Sequence, residues 1–467
     1  MKSRGFEVRS HNIFSGSTCS ISNMRALLIF LLVSFVVFAS AKYEGHQVWR
    51  MKPTTERQMT WLNYIEENMD EFDFWTSVSR IPGRPVDIMV QPNSQTNLRM
   101  LLKQEELDFE IMIDDVSTLV ANQMDEIRNR RENEYSIGIH STSFDYNNYH
   151  EYDEIQQWVL DTANEYSDII TPFLLGTSYE GRDIYGLRIR GTGSQNPYPK
   201  AVWFEGGIHA REWISPATVM GFTHKLIEEY HSEESVARKM FDNIDWYIVP
   251  SLNADGYVYT WTTDRMWRKT RSPNTGSLCV GTDPNRNWPF EWGGIGASDA
   301  PCSQTYMGSS AGSEIEVENV VKFLRERKAE GQDFLAFIDF HSYSQLIIAP
   351  WGYLEKNYYT DDHDEQMAMA VEMATAIKET HRKTYEHGVG AEILYATSGS
   401  SKDFGYAPFT TDATKSGIGA KYSYTIELRD TGRYGFALPA NQIQPSYEEI
   451  HAAVRAMGTR LLTELGL

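Results

Sequence analysis

Residues 201–216, AVWFEGGIHAREWISP, decide the fold of this chain. AVWFEGGI reads as a buried strand, an apolar run closed by the Gly206-Gly207 pair. His209 and Glu212 follow in what reads as a loop. Ser215 then reads as a helix cap, with Pro216 in the first helical turn. Strand, loop and helix in this order belong to an α/β sheet, and such sheets place their sites beyond the carboxyl ends of the strands. Two more segments repeat the theme. FLAFIDF (334–340) runs as a strand into His341, and YSYTIEL (422–428) is a strand that carries Glu427.

His209, Glu212 and His341 are together a ligand set for a catalytic zinc ion. Three protein ligands hold such a metal, and the fourth position takes a water that becomes nucleophilic near neutral pH. Glu427 is a carboxylate available as a base. Each residue also has an ordinary reading. An HxxE pair is commonly a surface His and a solvated Glu, and a His after a strand is commonly hydrogen-bonded in the core. Alternation puts Glu427 and Arg429 on one strand face, where they would form an ion pair. The common location of all four at strand ends favours a hydrolytic site.

The chain has 467 residues, 41% of them hydrophobic, enough for more than one domain and a substantial core. Its formal charge of −21 argues against a nucleic-acid or anionic-membrane partner. ALLIFLLVSFVVFASA (26–41) is too short for a comfortable membrane span and ends in Ala-Ser-Ala. It reads as a signal peptide cleaved after Ala41, which predicts secretion, with Met1 and Met24 both open as the start. Of three cysteines, Cys19 lies in this leader. Cys279 and Cys302 remain, either as one disulfide worth roughly 3 kcal/mol by loop entropy or as two buried thiols.

Between residues 42 and 131 the pattern differs. HQVWRM (46–51), a helix from Thr54-Thr55 to about Glu67, FDFWTS (72–77), PVDIMV (85–90), a helix over 97–107 and FEIMI (109–113) give the order βαββαβ of a ferredoxin-like α+β domain. A helix over 117–131 follows and ends in Arg128, Arg130 and Arg131, which is either a solvated helix end or a protease-sensitive junction. Helices are predicted at 153–166, 215–230, 313–330, 365–382 and 446–465, alternating with strands. The predicted class is therefore α/β, a doubly wound mixed sheet preceded by a small ferredoxin-like domain. The expected segments are 1–41, an N-terminal extension with signal peptide; 42–131, a pro-domain with its connecting helix; and 132–467, the catalytic domain.

HAREW (209–213), RMWRKTRS (265–272), DPNRNW (283–288), DFHSYSQ (339–345) and IELRDTGRYGF (426–436) stand in this order, and the chain from about Ser143 onward resembles the zinc carboxypeptidases of the carboxypeptidase A/B family. Residues 42–131 resemble that family's activation pro-domain. The resemblance implies one Zn2+ per chain on His209, Glu212 and His341, with Glu427 as base and Arg268 facing the developing oxyanion. Asn285 and Arg286 match the clamp for a substrate's C-terminal carboxylate, which a guanidinium holds by bidentate hydrogen bonds. Tyr395 matches the tyrosine that closes over it, and Arg211 and Tyr343 match further substrate contacts. The resemblance also implies a Cys279–Cys302 bridge, a pro-domain that inhibits, and activation by a trypsin-like protease near Arg128–Arg131. A monomer acting on peptide or protein C-termini is expected.

Lys402 falls at the base of the family's specificity pocket. An ammonium there favours a C-terminal Glu or Asp, by roughly 4 kcal/mol at 4 Å and an effective dielectric of 20 before desolvation. The chain thus resembles the glutamate-preferring digestive members. Lys402 could instead turn outward or pair with Asp403, leaving a broad or apolar preference. The stretch 405–420 is roughly ten residues longer than its family counterpart and could reshape the pocket. Arg265, Lys269 and Arg271 beside Arg268 read as further anion-handling charge, or as a solvated basic loop. An inactive peptide-binding homologue is the alternative of another class, and the presence of all three ligands and the base speaks against it.

Overall fold

The computed structural model describes residues 42–136, 144–194, 199–232, 235–354 and 358–467; the expected signal peptide and Cys19 lie outside them. Strands β1 (Gln47–Met51), β2 (Phe72–Phe74), β3 (Val86–Val90) and β4 (Phe109–Ile113) form one sheet in the order β2-β3-β1-β4. All its neighbours are antiparallel. Helices Glu56–Asn68 and Gln95–Gln104 bury Leu62, Ile65, Leu98 and Leu102 against Trp49, Ile88 and Val90. The first helix begins at a capping box: Thr55 accepts from the Gln58 backbone N–H at 3.2 Å, and the Gln58 side chain accepts from Thr55 N–H in return. This is the expected βαββαβ order.

The second sheet has eight strands: β5 (Ile170–Thr177), β6 (Asp183–Ile189), β7 (Lys200–Gly206), β8 (Ile244–Val249), β9 (Phe334–His341), β10 (Leu346–Ala349), β11 (Glu386–Val389) and β12 (Tyr422–Glu427). Their order is β11-β10-β12-β9-β7-β8-β6-β5, with a parallel centre and antiparallel pairings nearer the edges. Helices cover both faces. Trp203 of β7 meets Phe323 of helix Ile315–Ala329, while its neighbour Phe204 meets Phe222 of helix Ile214–Tyr230. Burial on both sides is why β7, β8 and β9 read as continuous apolar runs.

Register positions the site. His341 lies opposite Glu427 across β9 and β12, and Glu205 of β7 and Thr425 of β12 flank Asp339. The turn after β7 passes through Gly207 at φ +66°, where a side chain would press on Pro216 and Ser251.

Helix Val116–Ser136 links the two sheets and runs past Arg131, where it was expected to end. Its basic residues are paired: Arg128 with Asp125 at 2.7 Å, Arg130 with Asp145 at 2.6 Å, and Arg131 with Glu151 and Glu154 at 2.9 and 2.8 Å. Cys279 and Cys302 are bridged, with Cα atoms 5.1 Å apart. Among the described residues no helix is long and apolar enough to cross a membrane.

Candidate active site

The loop after β7 is fixed from both sides. Ser215 does not cap the following helix as expected. The helix begins one residue earlier, at Ile214, and the Ser215 hydroxyl instead accepts from Gly207 N–H at 2.9 Å and donates to Phe340 O at 2.5 Å. That tie joins the carboxyl ends of β7 and β9. Ala210 N–H donates to Arg268 O at 3.1 Å, fastening the HxxE loop to the loop that bears Arg268.

His209, Glu212 and His341 converge in a buried cluster. His209 Nδ1 lies 2.9 Å from Glu212 Oε1, His341 Nδ1 lies 3.2 Å from Glu212 Oε2, and the two Nδ1 atoms are 3.1 Å apart. Tetrahedral ligands about 2.1 Å from zinc stand roughly 3.4 Å from each other, so the triangle is of the right size. The remote nitrogens support the same reading. His209 Nε2 meets Asp283 Oδ1 at 3.0 Å, and His341 Nε2 meets Asp339 Oδ2 at 2.8 Å. A carboxylate acceptor at each Nε2 keeps the proton there and leaves the Nδ1 lone pairs facing one another, an arrangement that a cation stabilises. The donor set fits zinc.

Asp283 binds more than His209. It also accepts from Arg268 Nη2 at 2.8 Å and from Asn285 N–H at 2.9 Å. Burial alone would raise its carboxyl, but Arg268, Arg286 and His209 outweigh burial and hold it well below the usual carboxylate range. One side chain thus aligns the metal ligand His209, Arg268 and the backbone of Asn285.

A single cleft is lined by His209, Glu212, Arg268, Asn285, Arg286, His341, Tyr343, Tyr395, Lys402 and Glu427. Burial pushes the Glu427 carboxyl up to about 8, against the pull of the His341 ring. Arg429, its conceivable partner, binds Glu449 instead at 2.5 and 2.9 Å, because the chain turns away once β12 ends at Glu427. Arg286 is held by Gly296 O at 2.7 Å and Asn285 O at 2.9 Å. The half-buried Tyr395 ring lies 5.9 Å from its guanidinium.

Lys402 turns inward. It is buried, its Nζ donating to Thr397 Oγ1 at 3.0 Å and Ser400 Oγ at 3.1 Å. Asp403 Oδ1 lies 3.9 Å away, while its two oxygens accept from Gly352 N–H at 2.9 and 3.0 Å and from Tyr353 N–H at 3.1 Å. Room for the lysine comes from glycines. A methyl built on Gly352 would overlap the ammonium, and one on Gly390 would stand 3.0 Å from Cε. Ile348, Leu394, Thr397 and Thr425 complete this end of the cleft. None of residues 405–420 lines it; Arg325 fastens that stretch elsewhere through Ala413 O and Ser416 O.

The basic loop is corrected: only Arg268 faces the cleft. Arg265 is buried, donating to Gln123 Oε1, Arg211 O and Phe436 O. Lys269 donates to Pro301 O, and Arg271 stacks on Tyr259 and Trp267. Their charges are absorbed by packing.

The first sheet's domain covers the cleft. Its Trp75 and Thr76 help to line it, with Trp75 packed on Phe436 at 5.0 Å. Asp73 grips Arg211, which lies beside the cleft under Phe436, at 2.9 and 3.1 Å. Asp87 accepts from Tyr343 OH at 2.8 Å. Sequence reasoning gave no role to Asp73, Trp75, Asp87, Asp283 or Asp339. Only Asp339 carried a local signal, since strand alternation puts it on the face of His341.

The sequence profile of zinc carboxypeptidases matches residues 155–453, and that of the carboxypeptidase activation peptide matches 49–123. Carboxypeptidase A1 of Mus musculus is 36% identical over 432 residues, covering 92% of this chain and 97% of the relative. Carboxypeptidase B of Homo sapiens is 35% identical over 449 residues, 94% of this chain and 100% of the relative. The crystal structure of thrombin activatable fibrinolysis inhibitor superposes with a TM-score of 0.75 at 34% identity, over 90% of this chain and 100% of that one. Carboxypeptidase A from Helicoverpa armigera gives 0.76 at 27% identity, over 89% and 98%. The chain belongs to the zinc carboxypeptidase family, a zinc-dependent metallocarboxypeptidase made with its activation peptide.

Proposed function

We propose that this protein is a secreted precursor which, once cut near Arg128–Arg131, removes single C-terminal residues from peptides and prefers Glu and Asp. The domains divide near residues 41 and 131. The observation that carries the preference is Lys402. Its ammonium is buried at one end of the cleft with two hydroxyl partners, and the adjacent carboxylate has its oxygens engaged by backbone amides. A substrate carboxylate supplies an anionic hydrogen-bond acceptor, which the two hydroxyls are not and which Asp403, 3.9 Å away, is too distant to be.

Zinc on His209, Glu212 and His341 supplies Lewis-acid polarisation of the scissile carbonyl and acidifies water. The chain's own residues do the rest. Arg286, Asn285 and Tyr395 hold the terminal α-carboxylate, which fixes the cut at the last peptide bond. Glu427 takes the proton of the attacking water and passes it to the leaving amine, a transfer suited to a carboxyl whose pKa burial has raised. Arg268, oriented by Asp283, faces the oxyanion as it forms. Arg211 and Tyr343 contact residues before the cut. In the precursor Asp73 and Asp87 occupy both groups, which supports the domain of the first sheet as inhibitor.

The test is to activate the full chain with trypsin and compare kcat/KM for peptides ending in Glu, Asp, Lys, Leu and Phe. Glu should exceed Leu by about tenfold or more, the ratio that roughly 1.4 kcal/mol gives. Preference for Leu or Phe removes the role given to Lys402.

A further inference from the structure

Asp339 is fully buried on β9, two residues before His341. One of its oxygens, Oδ2, accepts both from His341 Nε2 at 2.8 Å and from Ser401 Oγ at 2.6 Å. Its other oxygen has no hydrogen-bond partner among the described residues. Ser401 is the first residue of the short helix Ser401–Tyr406 that carries Lys402, and its N–H donates to Asn285 Oδ1 at 2.8 Å. Asp339 therefore stands at a junction, with the metal centre on one side and the specificity helix on the other.

The two ligand histidines are supported differently. The carboxylate behind His209, Asp283, divides its charge among His209, Arg268 and the Asn285 amide. Asp339 hydrogen-bonds no arginine or lysine, and Glu205 faces it across the sheet in register. A buried carboxylate with no cationic side chain hydrogen-bonded to it carries a desolvation cost that a neutral residue at 339 would avoid. The ring that Asp339 touches provides the compensation. An anionic acceptor at Nε2 fixes the proton there, turns the Nδ1 lone pair to Glu212 and His209, and makes the ring a stronger donor.

We propose that Asp339 is a positioning residue for both halves of the site. It holds His341 with Nδ1 toward the metal, and through Ser401 it seats the first turn of the helix bearing Lys402. The first half rests on His209, Glu212 and His341 being the zinc ligands.

Asp339→Asn keeps the shape and removes the charge. In the full chain it should weaken zinc binding about 10–100-fold in competition with a chromophoric chelator. It should also shift the visible bands of the cobalt-loaded protein, while the circular dichroism of the metal-free protein stays native. Unchanged zinc affinity and unchanged cobalt bands overturn this half. A wild-type protein that binds no zinc would instead overturn the ligand assignment. If Asp339→Asn does not fold, the imidazole proton–nitrogen spectrum of zinc-loaded wild type decides, with the His341 signals assigned by their loss in His341→Gln. A proton on Nε2 is expected, and one on Nδ1 overturns the proposal. For the second half, Ser401→Ala should raise KM for a Glu-ended peptide several-fold more than for a Leu-ended one, with zinc affinity within about twofold of wild type. An equal change for both peptides removes that half.

Discussion

A carboxylate at 427 and an ammonium at 402 occupy opposite roles in one cleft, and each is exposed to a direct test. Glu427→Gln preserves size and removes the carboxylate proposed as base. It should lower kcat by about 10²–10⁴-fold while zinc content stays stoichiometric, as steady-state kinetics and metal analysis would report. Retained turnover would exclude Glu427 as the proton acceptor. Lys402→Asp inverts the charge beside Thr397 and Ser400, and should move the preferred C-terminal residue from acidic to basic on a peptide panel. An unchanged profile would place the side chain outside the specificity contact. The zinc ligands were legible because their residue types stand together at strand ends, and Lys402 was singled out because the resemblance put it at the base of the family's pocket. Asp283 was not. Its importance lies in three donors that converge on it from His209, Arg268 and Asn285, and convergence is a property of the folded loop.

Strands and helices were legible wherever apolar period and length agreed, as in β7, β9, β12 and the five long helices of the second domain. The start of helix Ile214–Tyr230 was misread at Ser215, since a buried hydroxyl can bridge two strand ends as readily as it caps a helix. Helix Glu56–Asn68 was read correctly at the same kind of signal. Thr55→Ala there should cost about 1 kcal/mol, measurable by denaturant unfolding of the full chain as an earlier transition of the first domain. Helix Ile315–Ala329 offers a pH test. Glu316 in its first turn is fully buried, and burial pushes its carboxyl up to about 7, with Asp255 adding to the rise. The folded state then holds a proton that the unfolded chain releases near pH 4.5, so this group lowers stability as pH rises from about 4.5 to 7. Glu316→Gln should therefore raise the melting temperature at pH 8 by several degrees more than at pH 5. Equal shifts at both would mean the carboxyl is ionised in the fold.

In the whole molecule the two sheets share one site, since the first domain places Trp75 and Thr76 in the cleft and holds Arg211 through Asp73. Removing both grips with Asp73→Ala and Trp75→Ala should raise the activity of the uncut full chain toward a small C-terminal substrate by tenfold or more, about what the loss of 1.4 kcal/mol of closure gives. Activity that stays at the background of the uncut wild type would show that other contacts suffice for closure. The resemblance implied an inhibiting first domain, but the residues that make the cover were not readable in sequence, because no local pattern reports which surface two domains share. The space around Lys402 is likewise contributed from afar, by Gly352 and Gly390 on separate stretches of the chain. A lysine arriving at 402 in an ancestor with alanine at 352 would have met a methyl where its ammonium now lies. A lysine at 402 in this pose therefore presupposes glycine at 352 and little more than glycine at 390.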